Sequence, residues 1–275
     1  VPELPEAETI VRDLRARLTG SRVVRVAVRH ADVLHRGLAP ATLDRRLRGR
    51  TCNGVSRRGK NVVLEFDGGL RLVINLGMTG RVVTSDAARA GDLRHVAVTI
   101  DLADGRAILY DDARRFGDLD LRDEAGWAAR TAELGVEPLA GEFTAERLHA
   151  LTRTSSTPIR NWLLDQRRIA GIGNIYAVEA LFRAGIRPTR RARTLRRREA
   201  ALLRDALRDV LEEAIDARGT TISDYRDASG EPGTFDRRLR AYDRAGQPCV
   251  NGCGGTIRRI VLSNRSAFYC PTCQT

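Results

Sequence analysis

Long apolar runs are missing from this sequence. No stretch approaches the roughly 20 residues that a bilayer-crossing helix needs, and no basic-then-apolar leader precedes the first periodic segment, so a cytoplasmic protein without a membrane partner is the expectation. Cysteine is scarce as well. Five cysteines in 275 residues cannot staple a chain of this size, which excludes a disulfide scaffold. Four of them cluster near the C-terminus, and the fifth, Cys52, reads as a small apolar core residue. Internal repeats and low-complexity tracts are absent, so solenoid architectures drop out. Lysine is almost absent: 46 of the 47 basic residues are arginine, and Lys60 is the exception. A chain this rich in arginine could have carried one there too, so either a compact, titratable ammonium is wanted at 60 or the exception is chance.

What the sequence has in excess is positive charge. A formal net charge of +12 and a pI near 10.5 favour a polyanionic partner, a bias shared by ribosomal, membrane-surface and nucleic-acid proteins. The length allows a substantial core and two domains. The first eighteen residues carry apolar side chains at 4, 7, 10, 11, 14 and 18, the spacing of an amphipathic helix whose buried stripe starts almost at once. Pro2 and Pro5 suit a helix start, and Glu3, Glu6 and Glu8 complement its positive dipole end. A chemical reading stands beside this structural one. If residue 1 is removed, Pro2 becomes a terminal secondary amine that can attack a sugar C1′ and form an iminium, with a neighbouring carboxyl group for acid–base work. If Val1 persists, Pro2 is an amide and cannot act.

Residues 22–28, 62–66, 70–76, 96–102 and 107–110 read as short strands separated by Gly, Asp and Asn turns, which predicts a sandwich or barrel. Helical spacing follows at 145–152, 159–166, 175–184 and 195–217. The expected division is 1–135, mostly β; 136–234, helical; and 235–275, a cysteine module. In that module Cys249-x3-Cys253-x16-Cys270-x2-Cys273 forms two close pairs around a hairpin-length insert, a ligand set for one closed, structural Zn²⁺. With little core of its own, the module is expected to fold only with the metal. Residues 158–166 and 169–176 read as helix, glycine-bearing turn and helix, with Asn174 expected to cap the second helix.

These motifs, in this order, resemble the formamidopyrimidine-DNA glycosylase (Fpg) family of base-excision repair enzymes. The likeness covers essentially the whole chain, from Pro2-Glu3-Leu4-Pro5-Glu6 through the helix-two-turn-helix to the four cysteines. It implies an α+β fold: an N-terminal β-sandwich led by a catalytic helix, a helical domain, and a four-cysteine zinc finger, with damaged double-stranded DNA in a basic cleft and a monomeric, bacterial, nucleoid-associated protein. It further implies Pro2 as nucleophile, Glu3 as the acid that assists sugar-ring opening, Glu6 in support, and Lys60 and Arg265 as phosphate-gripping groups with a part in elimination. Asn75, His95, Arg160 and Asn174 become DNA contacts. Met78, Arg114 and Phe116 become the triad that fills the gap left by a flipped nucleotide, Arg114 facing the orphaned cytosine. Thr220, Thr221, Ser223 and Tyr225 fall on the loop that closes over the damaged base.

The chain departs from the family pattern at Asn75, Ala113 and Arg160, and in the extra residue between the first two cysteines. Leu4 favours the purine-directed branch, because the endonuclease VIII branch more often begins Pro-Glu-Gly-Pro-Glu. The expected activity is removal of 8-oxoguanine and formamidopyrimidines followed by β,δ-elimination. The alternatives are an inactive zinc-dependent DNA-binding homologue and an endonuclease VIII-like enzyme for oxidised pyrimidines.

Overall fold

The computed structural model describes residues 2–87, 93–222 and 225–275. Val1 and Ser223 therefore lie outside the described residues. The chain forms two compact units: Val1–Ala132 with Ile215–Asp236, and Glu133–Ala214 with Arg237–Thr275. The segment Ile215–Asp236, which apart from its last two residues the sequence groups with the helical region, thus clusters with the N-terminal unit, and the cysteine module from Arg237 belongs to the second.

The first unit opens with α1 (Leu4–Leu18), followed by β1 (Val23–Val28), α2 (Pro40–Leu47), β2 (Cys52–Arg58), β3 (Asn61–Phe66), β4 (Leu70–Asn75), β5 (Arg81–Thr84), β6 (Val96–Leu102), β7 (Ala107–Asp111), β8 (Asp118–Arg122) and α3 (Glu124–Ala132). The strands make two four-stranded antiparallel sheets, ordered β1-β6-β7-β5 and β2-β3-β4-β8. One hydrophobic core joins the inner faces of both sheets to α1. The expected stripe on α1 is all inside: Leu4, Ala7, Ile10, Val11, Leu14 and Leu18 are at most 1% exposed. Each such leucine or isoleucine side chain contributes about 1.5–3 kcal/mol by leaving water, which is what holds the chain's start in place. Arg15 Nε also donates to the Val55 carbonyl at 2.8 Å, tying α1 to β2.

Three strands went unread in the sequence, and each for a physical reason. β2 is polar and carries Gly54; β5 has only four residues. β8 is Asp-Leu-Asp-Leu-Arg, whose Asp120 is buried because Arg122 and Arg130 donate to it at 2.6 and 2.9 Å.

The second unit holds α4 (Ala145–Arg153), α5 (Ile159–Leu164), α6 (Asn174–Arg183) and α7 (Arg197–Asp216), whose last two residues lie in the first unit, then the hairpin β9 (Arg258–Leu262) and β10 (Arg265–Tyr269). The cysteine module does have a core: Cys249, Ile257, Ala267 and Phe268 pack with Val178 and Phe182 of α6. Among the described residues no helix is long and apolar enough to cross a membrane.

Candidate functional site

Pro2 is buried immediately before α1, whose N-cap is Glu3. Glu3 and Glu6 form a reciprocal capping box, the Glu3 N–H donating to Glu6 Oε2 at 2.8 Å. This box is a sequence-readable device that here fixes two carboxylates beside Pro2. Both are buried, Glu3 3% and Glu6 1% exposed. The second Glu6 oxygen accepts the backbone N–H of Thr220 at 2.7 Å, so one carboxylate joins the start of α1 to the 217–235 loop.

Lys60 sits half-buried in the two-residue turn between β2 and β3, opened by Gly59 at φ 58°. Arg57 steadies that turn from within: its Nη1 donates to the Gly59 carbonyl at 2.9 Å and its Nε to Glu8 on α1 at 3.1 Å. The family motifs pointed to Lys60; the Glu8–Arg57 pair behind it was not visible without the fold.

Two further loops meet at a carboxylate that sequence reasoning passed over. Asp112, fully buried, accepts the Thr79 hydroxyl at 2.5 Å, the Tyr110 hydroxyl at 3.0 Å and the Gly117 N–H at 2.9 Å. Burial, then the Asp112 charge, push the Tyr110 phenol far above its usual range, so it remains a donor. A Cβ on Gly77 would lie 2.5 Å from the Phe116 backbone, so the two loops are pressed together. Their tips carry Met78 and Phe116, 37% and 59% exposed, with the Arg114 guanidinium 4.7 Å from the Phe116 ring centre. Two exposed apolar side chains and a cation on braced loops have the make-up of a base-stack wedge. Asn75 shapes the same corner, accepting the Gly77 N–H at 3.0 Å and donating to Asn61 at 3.1 Å. His95 is exposed, its N–H held by Asp111 at 2.6 Å.

The 217–235 loop is closed by Thr234 N–H on the Ala217 carbonyl (2.9 Å) and Phe235 N–H on the Gly219 carbonyl (3.1 Å). Thr221 Oγ1 donates to the Tyr225 carbonyl at 3.1 Å and accepts the Gly233 N–H at 2.9 Å. Tyr225 is buried against the core, and burial, then the Glu6 charge, hold its phenol well above the ordinary range.

In the second unit the helix-two-turn-helix is braced by Gln166, which accepts the Gly171 N–H and donates to the Ile172 carbonyl, both at 2.8 Å. Gly173, not Asn174, is the N-cap of α6. The expectation of an Asn174 cap is corrected, because that side chain is engaged elsewhere. Asn174 Oδ1 accepts from Arg160 Nη2 at 2.6 Å, and its Nδ2 donates to the Ser266 carbonyl at 2.9 Å. Arg160 itself is 1% exposed and donates to Asn161, Asn174 and the hairpin carbonyls of Leu262 and Ser266. It braces the β9–β10 hairpin rather than facing solvent. Arg265, beside the tight turn Ser263-Asn264 (φ 47° and 61°), is exposed, and its guanidinium has no hydrogen-bond partner among the described residues. It is open to an anion.

The four cysteine Sγ atoms all lie within 4.8 Å of one another. The pairs Cys249–Cys273 and Cys253–Cys270 stand 3.7 and 3.6 Å apart. Tetrahedral zinc–thiolate bonds of about 2.3 Å require sulfur separations of about 3.8 Å, so the site fits one structural zinc with no open position. The extra residue in the first knuckle is absorbed by Gly252 at φ 65°. Burial pushes the Cys249 thiol up to about 12, a cost that a bound dication removes.

Comparison with known proteins agrees segment by segment. The family models for the Fpg N-terminal domain, the Fpg H2TH domain, and the zinc finger found in FPG and IleRS match residues 1–119, 134–226 and 246–275. A formamidopyrimidine-DNA glycosylase from Cereibacter sphaeroides is 44% identical over the full length of both chains. The crystal structure of the MutM (Fpg) protein from Thermus thermophilus superposes with a TM-score of 0.87 at 39% identity, covering 99% of this chain and 98% of that one. A mutant Lactococcus lactis FPG in complex with Fapy-dG containing DNA gives 0.89 at 32% identity, with full coverage of both. The chain belongs to the formamidopyrimidine-DNA glycosylase family, and is a zinc-bearing DNA repair glycosylase and abasic-site lyase.

Proposed function

We propose that this enzyme removes oxidised purines, 8-oxoguanine and formamidopyrimidines, from duplex DNA through an iminium formed at Pro2. The observation that carries the reading is the buried N-terminal cluster, in which Pro2 adjoins two carboxylates locked by the capping box. The Pro2 nitrogen attacks C1′, and the C1′–N9 bond breaks as the base leaves with a proton. Glu3 protonates the ring oxygen, the C1′–O4′ bond opens, and the nitrogen lone pair forms the C1′ iminium. That electron sink acidifies C2′, so the 3′-phosphate departs by β-elimination and the 5′-phosphate by δ-elimination; hydrolysis then frees Pro2.

Other side chains bind and orient. Arg265 and Lys60 hold phosphates, and Arg160 with Asn174 sets the hairpin that presents Arg265. Met78, Arg114 and Phe116 fill the emptied stack, with Asn75 and His95 at the same loops. The Thr220, Thr221 and Tyr225 segment faces the damaged base, and Glu6 ties it to the catalytic helix. Zinc serves the hairpin's geometry only. The Fapy-dG ligand of the Lactococcus lactis relative supports the substrate class.

The test is borohydride trapping on duplex containing 8-oxoguanine opposite cytosine, using protein whose intact mass shows that it begins at Pro2. A covalent adduct mapped to Pro2 is expected. Tight binding of both lesion and abasic duplex with no adduct would overturn the mechanism. Turnover of oxidised pyrimidines in preference to 8-oxoguanine would overturn the substrate reading.

A further inference from the structure

Arg218 stands at the entry to the loop in an unusual backbone state. Its φ is 60° and that of Gly219 is 88°, two successive left-handed residues of which only the second is a glycine. Gly219 has no room for a side chain, since a Cβ there would lie 3.0 Å from both Glu6 and Tyr225. Position 218 would adopt the same conformation more readily as glycine, because a side chain is disfavoured in the left-handed region. An arginine stands there instead, and two of its guanidinium nitrogens, Nε and Nη2, make a three-element clasp.

Nε donates to Asp227 Oδ2 at 2.7 Å, while Nη2 reaches Asp227 Oδ2 and Asp13 Oδ2, both at 2.5 Å. Asp227 is 1% exposed, and its other oxygen accepts the N–H groups of Ser229 and Glu231, each at 2.9 Å. Asp13 lies on α1, two turns beyond the catalytic cluster, with its own charge partly desolvated. One side chain therefore links the start of the loop, its returning limb and the catalytic helix.

We infer that Arg218 is a positioning residue for base recognition: its bridge between Asp13 and Asp227 fixes the corner from which Thr220 donates to Glu6. The linkage is short. Arg218 sets the 218–219 corner, the corner sets the Thr220 N–H 2.7 Å from Glu6 Oε1, and Glu6 in turn holds the Glu3 N–H at 2.8 Å. Loss of the clasp releases the loop and leaves the capping box intact. The effect on a substrate that still has its base is consequently larger than on an abasic one, for which the loop has nothing to grip. The inference rests on the reading that Thr220, Thr221 and Tyr225 face the damaged base.

The experiment compares full-length zinc-loaded wild type with Arg218→Gly, which suits the backbone but removes the clasp, and Arg218→Lys, which keeps the charge. Single-turnover excision from 8-oxoguanine duplex should slow roughly ten- to a hundredfold in Arg218→Gly, the scale of a displaced positioning contact, while cleavage of a ready-made abasic duplex should stay close to wild type. Arg218→Lys should recover part of the loss. Equal rates on the lesion, or equal losses on both substrates, overturn the inference.

If Arg218→Gly fails to fold, Asp13→Asn decides, since it keeps the Asp227 pair and removes the charge from the α1 arm. Its loss should be smaller and confined to the base-containing duplex, and no loss overturns the inference. Amide hydrogen exchange at Thr220 in the free protein gives a readout independent of substrate: protection in wild type and faster exchange in Arg218→Gly are expected. Unchanged protection sinks the clasp even if excision proceeds as proposed, whereas an intact clasp on an enzyme that ignores 8-oxoguanine sinks only the substrate reading.

Discussion

The carboxylate of Asp112 accepts the hydroxyl of Thr79 at 2.5 Å, and through it the Met78 loop is bound to the loop of Arg114 and Phe116. The same carboxylate is buried and also holds Tyr110 and Gly117, so the donor from Thr79 cannot be replaced by water at little cost. Thr79→Val keeps the shape and deletes the donor. Hydrogen bonds to charged groups contribute about 1.5–3 kcal/mol, and a loss of about 2 kcal/mol in urea unfolding is expected. Because Met78 and Arg114 then lose their common anchor, the ratio of excision opposite cytosine to excision opposite adenine should fall as well. A destabilised variant with an unchanged ratio would show that the anchor serves stability alone.

How far the sequence reached can be argued from such residues. Helix α1 was legible because all six apolar positions obey one period and all six are buried. The zinc ligands were legible because four cysteines at that spacing have few other uses, and the extra knuckle residue did not part the sulfurs. Asp112 was not, because its meaning lies in donors from residues 79, 110 and 117, which only the sheet brings together. The family resemblance makes Arg160 a DNA contact; nothing local announces that the side chain is buried and donates to carbonyls about a hundred residues away. Asn174 looked like a cap because asparagine before a helical run often is one, yet Gly173 takes that position and frees the amide for the hairpin.

Lys60 tests whether the lone lysine is functional. The turn that holds it is fixed by Arg57 and Gly59, so Lys60→Arg should fold normally and keep the charge. A guanidinium is larger and does not titrate near neutral pH. Base excision should fall by about tenfold to a hundredfold, the lower range for a misplaced acid–base or binding group, with melting temperature unchanged. Wild-type rates would make the exception an accident of composition.

Acid stability should report on Glu199. Paired hydrogen bonds from Arg190 at 2.7 and 3.0 Å, with the Arg196 N–H at 2.8 Å, lower its carboxyl from the ordinary 4.5 to about 2. A depressed folded value means that the pair stabilises the protein fully above about 4.5 and progressively less as pH falls toward 2. Glu199→Gln should therefore cost about 1 kcal/mol at pH 7, after allowance for solvent screening, and the gap from wild type should close on acidification. A gap that stays constant down to pH 3 would contradict the assignment.

Arg160 and Arg265 make a contrast in which two arginines of one unit should fail in opposite ways. Arg160 is buried and donates to Asn161, Asn174 and two hairpin carbonyls, so Arg160→Met leaves several polar groups unpartnered in the interior. Breaking a buried charged network costs about 3–5 kcal/mol in full, and a loss near the lower end is expected because this site borders the exposed hairpin turn. Zinc content should stay at one per chain, since the four sulfurs are held by their own knuckles. Arg265 is exposed and its side chain has no partner among the described residues, so Arg265→Met should leave unfolding within about 0.5 kcal/mol of wild type. Its loss should appear in binding instead: one phosphate contact removed lowers the slope of log affinity against log salt by about 0.9. If Arg160→Met proved as stable as wild type while its salt slope fell by that same amount, Arg160 would be a direct phosphate contact after all, and its hydrogen bonds to the hairpin a feature of the DNA-free protein only.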